Sequence, residues 1–225
     1  MPITLSSEEA RVLGSLIEKS LTTPDQYPLT LHALAAACNQ KSSRDPVMNL
    51  DETTVARALS TLREKTLAYT KSESGNRVPK FGHRVENLLK GGSAKEVGAV
   101  CVLLLRGPQT SGEIKTRTDR LCEFESVADV VTVLDDLANR PEGPIVVRLV
   151  RQPGQKEARF AQLFTGPIDP ALLNNPSAGS EPPVPVPVST QRVDPRTVFE
   201  ERLKAVEQAV AELQERLGVA EKHGL

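Results

Sequence analysis

Between Asp51 and Phe81 the spacing of apolar residues changes once, and the change predicts a helix followed by a two-stranded hairpin. Val55, Leu59 and Leu62 recur four and then three residues apart, as one buried helical stripe does. Asp51 is placed to cap this helix, and Glu52 sits in the first turn, where the helix dipole favours a carboxylate. Thr53, Thr54, Arg57 and Thr61 occupy the opposite face. After Leu67 the period becomes two: Ala68 to Lys71 run into Ser72-Glu73-Ser74-Gly75-Asn76, and Arg77 to Phe81 return. A Gly-Asn pair between short alternating runs signals a hairpin. Pro79 has no N–H for a ladder, so the return strand is expected at a sheet edge.

Upstream, Ser6-Ser7-Glu8-Glu9 sets a hydroxyl cap beside first-turn carboxylates, and Val12, Leu16 and Ile17 carry a helix to about Leu21. Thr22-Thr23-Pro24 stops it. A second helix is expected from Tyr27-Pro28-Leu29-Thr30 to about Cys38. The polar loop from Asn39 to Asn49 then separates it from the Asp51 helix, a longer connection than a plain helix-turn-helix has. The same grammar returns downstream. Ser93 and Glu96 form a capping-box pair ahead of Val97, Val100, Leu103 and Leu104, up to Gly107-Pro108. Thr110-Ser111-Gly112-Glu113 opens a short helix to about Leu121, and Ser126 caps a longer one through Val130, Val133, Leu134 and Leu137. Ile145 to Val150 is a β-branched strand, Gln152-Pro153-Gly154-Gln155 a tip, and Ala158 to Phe164 the return.

Two helix-helix-helix-hairpin units in series give the expected fold class: α+β, mostly helical, with two tandem winged-helix domains at 1–90 and 91–166. Residues 167–194 are a Pro-rich flexible linker, in which Pro182 to Pro187 favour polyproline II. Asp194-Pro195 then opens a C-terminal helix within 195–225. Leu203, Val210 and Leu217 repeat there every seven residues, and Phe199, Val206 and Leu213 do so four positions earlier. Those interleaved heptads predict a parallel coiled coil and a homodimer, with fold-back of this stripe onto the chain's own domains as the alternative.

Composition narrows the classes further. Cys38, Cys101 and Cys122 are odd in number and contain no CxxC pair, which argues against a disulfide framework and a zinc module and favours a reducing cytoplasm. The longest apolar run, Ala99 to Leu105, is far short of a membrane span, and Met1-Pro2-Ile3 leads to Glu8 and Glu9 rather than to a signal peptide. A soluble protein with no membrane partner is expected. Positions 1–90 hold 12 basic and 10 acidic residues, 91–166 hold 10 of each, and 167–225 hold 6 and 9, so no region is strongly basic. That lowers the expectation of nucleic-acid binding without removing a local cationic patch.

The chain resembles the YceH-like family of uncharacterised bacterial proteins. The resemblance rests on Thr23-Pro24-Asp25-Gln26-Tyr27-Pro28-Leu29, on Ala37-Cys38-Asn39-Gln40-Lys41 with Arg44 and Pro46-Val47-Met48-Asn49-Leu50, and on Gly75-Asn76-Arg77-Val78. In the second unit it rests on Leu103-Leu104-Leu105-Arg106-Gly107, Leu137-Ala138-Asn139-Arg140 and Val147-Arg148-Leu149. Cys122 departs from the family pattern, which has Tyr or His before Glu123-Phe124. The resemblance implies tandem winged helices and a bacterial source, and it implies no reaction.

Candidate chemistry is sparse. His32, His83 and His223 lie far apart, without the spacing of a metal site or a triad, and no phosphate-binding glycine motif is present. No catalytic residue, metal site or cofactor is expected, and the chain is read as a non-enzyme. The sharper expectation is a transcription-regulator-like protein that binds double-stranded DNA through Lys41, Arg44, Thr53, Thr54, Arg57, Lys71, Arg77 and Lys80. Phosphates would be held by the cations and base edges read by the threonines. For the Asn39 to Asn49 loop the alternative is an Asn/Gln network that closes a long loop over the core. Asp129, Asp135 and Asp136 make the second unit less suited to phosphate and more to a protein partner. The alternative function is accordingly a winged-helix interaction module like the subunits of chromosome-condensation complexes.

Overall fold

A computed structural model describes residues 3–72, 78–166 and 168 of the chain. Helix α1, Ser7–Thr22, starts at a reciprocal cap: Ser6 Oγ accepts from the Glu9 N–H while Glu9 Oε2 accepts from the Ser6 N–H. Thr23 ends it, and a short 3-10 turn, Pro24–Gln26, leads into strand β1, Leu29–Thr30. Thr30 is also the N-cap of helix α2, Leu31–Cys38, so the predicted second helix begins later than expected and its first residues pair with a strand instead. Helix α3, Glu52–Glu64, is capped by Asp51, whose Oδ1 accepts from the Thr54 N–H at 2.7 Å. Strands β2, Ala68–Lys71, and β3, Lys80–His83, follow.

The three strands form one antiparallel sheet in the order β1-β3-β2, with Leu29 opposite Phe81 and Thr70 opposite Phe81 on its other side. The return strand is therefore central, not an edge. Pro79 lies just outside β3, where its missing N–H interrupts neither ladder.

Helix α4, Val85–Leu89, was not indicated by periodicity, being too short to show one. Helices α5, Ala94–Arg106, α6, Ser111–Thr118, and α7, Val127–Ala138, start at Ser93, Thr110 and Ser126, each of whose hydroxyls accepts from the backbone N–H three residues on. Strands β4, Val146–Arg148, and β5, Phe160–Gln162, pair antiparallel. Between α5 and α6, Gln109 bridges to Phe160 of β5, with Gln109 N–H to Phe160 O at 3.0 Å and Phe160 N–H to Gln109 O at 2.7 Å. Gln109 thus stands to β5 as β1 stands to β3.

The described residues all lie within one compact unit. Its core runs without a break from Val12, Leu16 and Ile17 through Leu59 and Leu62 to Leu103, Leu134 and Phe160. Helix α1 is enclosed from both sides. Its apolar stripe faces α2, α3 and β3, while Gly14 meets α5 so closely that a Cβ there would stand 2.9 Å from Leu105 Cγ. Cys101 Sγ lies 3.5 Å from the Gly14 carbonyl at this crossing. Elsewhere Leu5 N–H donates to Phe164 O, Asp45 N–H to Leu105 O, and the Arg140 guanidinium to Leu89 O and Glu96. The residues of the predicted linker and coiled coil, including Phe199, Leu203, Val206, Val210, Leu213 and Leu217, lie outside the described residues, apart from Ile168. Among the described residues no helix is long and apolar enough to cross a membrane.

Candidate nucleic-acid interface

Helix α3 divides cleanly between core and solvent. Val55, Ala58, Leu59 and Leu62 are buried, and Thr53, Arg57, Ser60 and Glu64 follow one another at helical spacing along the exposed side. The first turn of this exposed side is only partly available. Thr54 is half-buried and hydrogen-bonded to Asp51 through its side chain as well as its N–H, which holds the Asp51 carboxyl below the usual range. Glu52 accepts from His32 Nδ1 at 2.8 Å across to α2, and both side chains are exposed. Arg57, one turn further, lies in the electrostatic field of Asp51.

Beside α3 lies a groove of about 560 Å³, bounded by Ser60, Arg63 and Glu64 on the helix and by Tyr69, Thr70 and Arg84 on the sheet side. The Arg84 guanidinium carbon stands 5.7 Å from the centre of the Tyr69 ring, a cation–π distance. Tyr69 in turn fills the space above Gly82, where a Cβ would come within 2.4 Å of the ring. Lys71 is exposed at the end of β2 and Lys80, its neighbour across the ladder, is half-buried. The structure therefore brings Thr53, Arg57, Lys71 and Lys80 onto the helix and strands named from sequence. It adds Ser60, Arg63 and Arg84. Arg63 lies off the apolar stripe and could have been read from the helical period, whereas Arg84 follows the strand and had no pattern to mark it.

Arg44 is a correction. Its side chain has no exposed surface, and its Nη1 and Nη2 donate to the two Glu18 oxygens at 3.2 and 2.7 Å. Nε and Nη2 also donate to Ala37 O, and Nη1 to Ser43 O. A guanidinium so enclosed cannot reach a phosphate. The Asn39 to Asn49 loop is instead a closed structural device. Asn39 Nδ2 donates to Leu50 O and Leu50 N–H donates to Asn39 Oδ1, at 2.7 and 2.8 Å. Buried Arg11 donates to Cys38 O and Pro46 O from beneath. Lys41 stays exposed at the loop's surface, and Arg77 lies outside the described residues.

One further pairing brings together residues that are remote in sequence. Ser20 Oγ lies 2.8 Å from His83 Nε2, a distance at which a serine nucleophile could meet its base. The polarity is opposite to that arrangement. His83 Nδ1 accepts from the Val85 N–H, so the neutral ring carries its proton on Nε2 and donates it to Ser20, whose own hydroxyl donates to Ile17 O. Burial pushes the imidazole below its ordinary range, and Tyr27 Oη accepts the His83 backbone N–H at 2.6 Å. The cluster fastens β3 to α1. No group of three or more His, Cys, Asp and Glu side chains among the described residues could hold a metal ion.

Residues 5–155 match the family described as protein of unknown function DUF480. A UPF0502 protein of Photobacterium profundum is 46% identical over 220 residues, spanning 96% of this chain and 98% of that one. Another from Serratia proteamaculans is 52% identical over 174 residues, 76% of this chain and 81% of its own. A third, from Yersinia pseudotuberculosis, is 44% identical over 227 residues and spans 96% of both. With two thirds of its length inside the family's bounds and relatives alike from end to end, the chain belongs to the DUF480, or UPF0502, family of bacterial proteins.

Proposed function

We propose that the chain is a DNA-binding protein of the transcription-regulator type, which reads duplex DNA with α3, and that each of its halves is a winged helix. The observation that carries this reading is the exposed side of α3. It is a firmly seated helix that offers Thr53, Arg57 and Ser60 to solvent and is flanked by Arg63, Lys71 and Lys80. An α-helix fits the major groove, and cations on neighbouring elements then meet the phosphates that fix its register. The element order α1-β1-α2-α3-β2-β3, matched by α5-Gln109-α6-α7-β4-β5, supports the winged-helix assignment. Glu52 and Glu64 at the two ends of α3 weaken the field, so affinity is expected to be modest and strongly salt-dependent.

A protein partner is the second reading, for the second half alone. Asp135 and Asp136 are exposed on α7, and Val127 at its start is 43% exposed, a surface ill-suited to phosphate. The heptads between Pro195 and Leu217 would join two chains into a dimer suited to a twofold-symmetric site, and a cytoplasmic location fits both readings. The test is a mobility shift of random duplex DNA at low salt. Arg57→Ala and Arg63→Ala should weaken binding about equally on all sequences, whereas Thr53→Ala should change the preferred sequence. No shift at about 50 mM salt would discard the DNA reading.

A further inference from the structure

A second concentration of positive charge lies away from the α3 face. A cavity of about 180 Å³ opens where the end of α5, helix α6 and the 39–50 loop meet. Arg106, Arg117 and Arg120 line it, with the hydroxyls of Ser43 and Thr116, and Val102, Leu105 and Leu121 close its apolar wall. Two carboxylates also border it. Glu18 is already held through both oxygens by Arg44, and Asp119 is exposed.

The three guanidiniums are poorly matched by protein acceptors. Arg106 Nε is buried with no hydrogen-bond partner, and Arg106 forms no ion pair among the described residues. Arg117 reaches Glu113 only at 3.5 Å, while Arg159 holds the same carboxylate at 2.8 Å. Arg120 has no ion pair among the described residues. Burial, and then the charge of Arg117, lower the Arg106 pKa, with the Asp45 and Glu113 carboxylates opposing them in part, so positive charge is in excess beside Arg106. A buried donor without an acceptor costs free energy, and like charges gathered in a half-enclosed space add to that cost. A tetrahedral oxyanion in the cavity would offer acceptors to the guanidiniums that line it, and the planar fork of arginine matches its paired oxygens.

We propose that this cavity binds a small phosphate-type dianion, inorganic phosphate or a compact phosphomonoester, held by Arg106, Arg117 and Arg120. The volume is below the range of roughly 300–1,000 Å³ typical of pockets for drug-sized ligands, which excludes a whole nucleotide from the enclosed space. Because Ser43 belongs to the first half and the arginines to the second, the bound anion joins the two. Asp45 N–H, two residues from Ser43, already donates to Leu105 O beside the cavity. Binding is therefore coupled to stability.

The test uses the full chain with sodium phosphate, against sodium chloride of equal ionic strength. For a Kd of about 1 mM, 10 mM phosphate should raise the melting temperature by about 3–6 °C. Chloride should not. Calorimetric titration should show Arg106→Gln weakening phosphate at least about tenfold. Arg120→Gln, at an exposed position that leaves folding intact, should weaken it several-fold. A short DNA duplex at equal phosphate concentration separates the two sources of the group. It should neither compete with free phosphate nor lose affinity on Arg106→Gln. An equal response to chloride, unchanged phosphate binding in both variants, or duplex binding that depends on Arg106 would each overturn the proposal.

Discussion

Arg44→Ala separates a structural arginine from a DNA-contacting one. The substitution removes both bonds to Glu18, both to Ala37 O and the one to Ser43 O. Removing one member of a buried ion pair typically costs about 3–5 kcal/mol, because the other charge stays behind. Here Glu18 retains Lys19 at 3.8 Å and a side chain 9% exposed, which places the loss near the lower limit, ~3 kcal/mol. The unpaired Ala37 carbonyl adds about 1 kcal/mol. At roughly 2–4 °C per kcal/mol for a chain of this size, the variant should melt about 8–16 °C below the wild type, followed by circular dichroism at pH 7. Replacing both partners, as Arg44→Met with Glu18→Leu, should recover most of that loss, since neither charge is then stranded. A variant that melts within about 2 °C of the wild type but no longer shifts DNA would refute the enclosed role and restore Arg44 to the interface.

Three other outcomes follow from the packing, the protonation and the heptads. Gly14→Val sets side-chain atoms against Leu104 and Leu105, should cost about 2–3 kcal/mol, and should lower one shared calorimetric transition; two separate transitions, only one of them shifted, would mean that the halves fold independently. His83 is held neutral by burial, so between its folded pKa and the ordinary value of 6.5 the unfolded chain carries the extra proton. Stability measured in urea should therefore be flat in this group above about pH 6.5 and fall as the pH drops below it, and His83→Gln should lose that part of the slope. Val210→Asp should turn a dimer into a monomer by light scattering, and a wild-type monomer would remove the coiled coil.

Caps and stripes were the legible part of this chain. Ser6, Asp51, Ser93, Thr110 and Ser126 start helices where their spacing to downstream apolar residues places them, because capping is local chemistry. Strand β1 and helix α4 escaped because two and five residues are too few to display a period. The central position of β3 depends on β1, so the spacing shows neither. Among the candidate DNA contacts, Thr53 and Arg57 follow from the helical period, but Arg44 reads as a surface cation because its partner Glu18 lies 26 residues away. Nothing local marks Arg11 or Glu18 as buried, since α5, which encloses their helix, comes some eighty residues later.

If cations around α3 hold DNA phosphates, binding to a fluorescently labelled random duplex must depend steeply on salt. Contacts from Arg57, Arg63, Lys71 and Lys80 predict that log Kobs falls against log salt with a slope of about −3.6, at about 0.9 per phosphate. Arg57→Ala and Arg63→Ala should each make that slope shallower by about 1. Anisotropy that never rises with protein, or an affinity that is flat in salt and indifferent to both substitutions, would contradict phosphate binding by these cations.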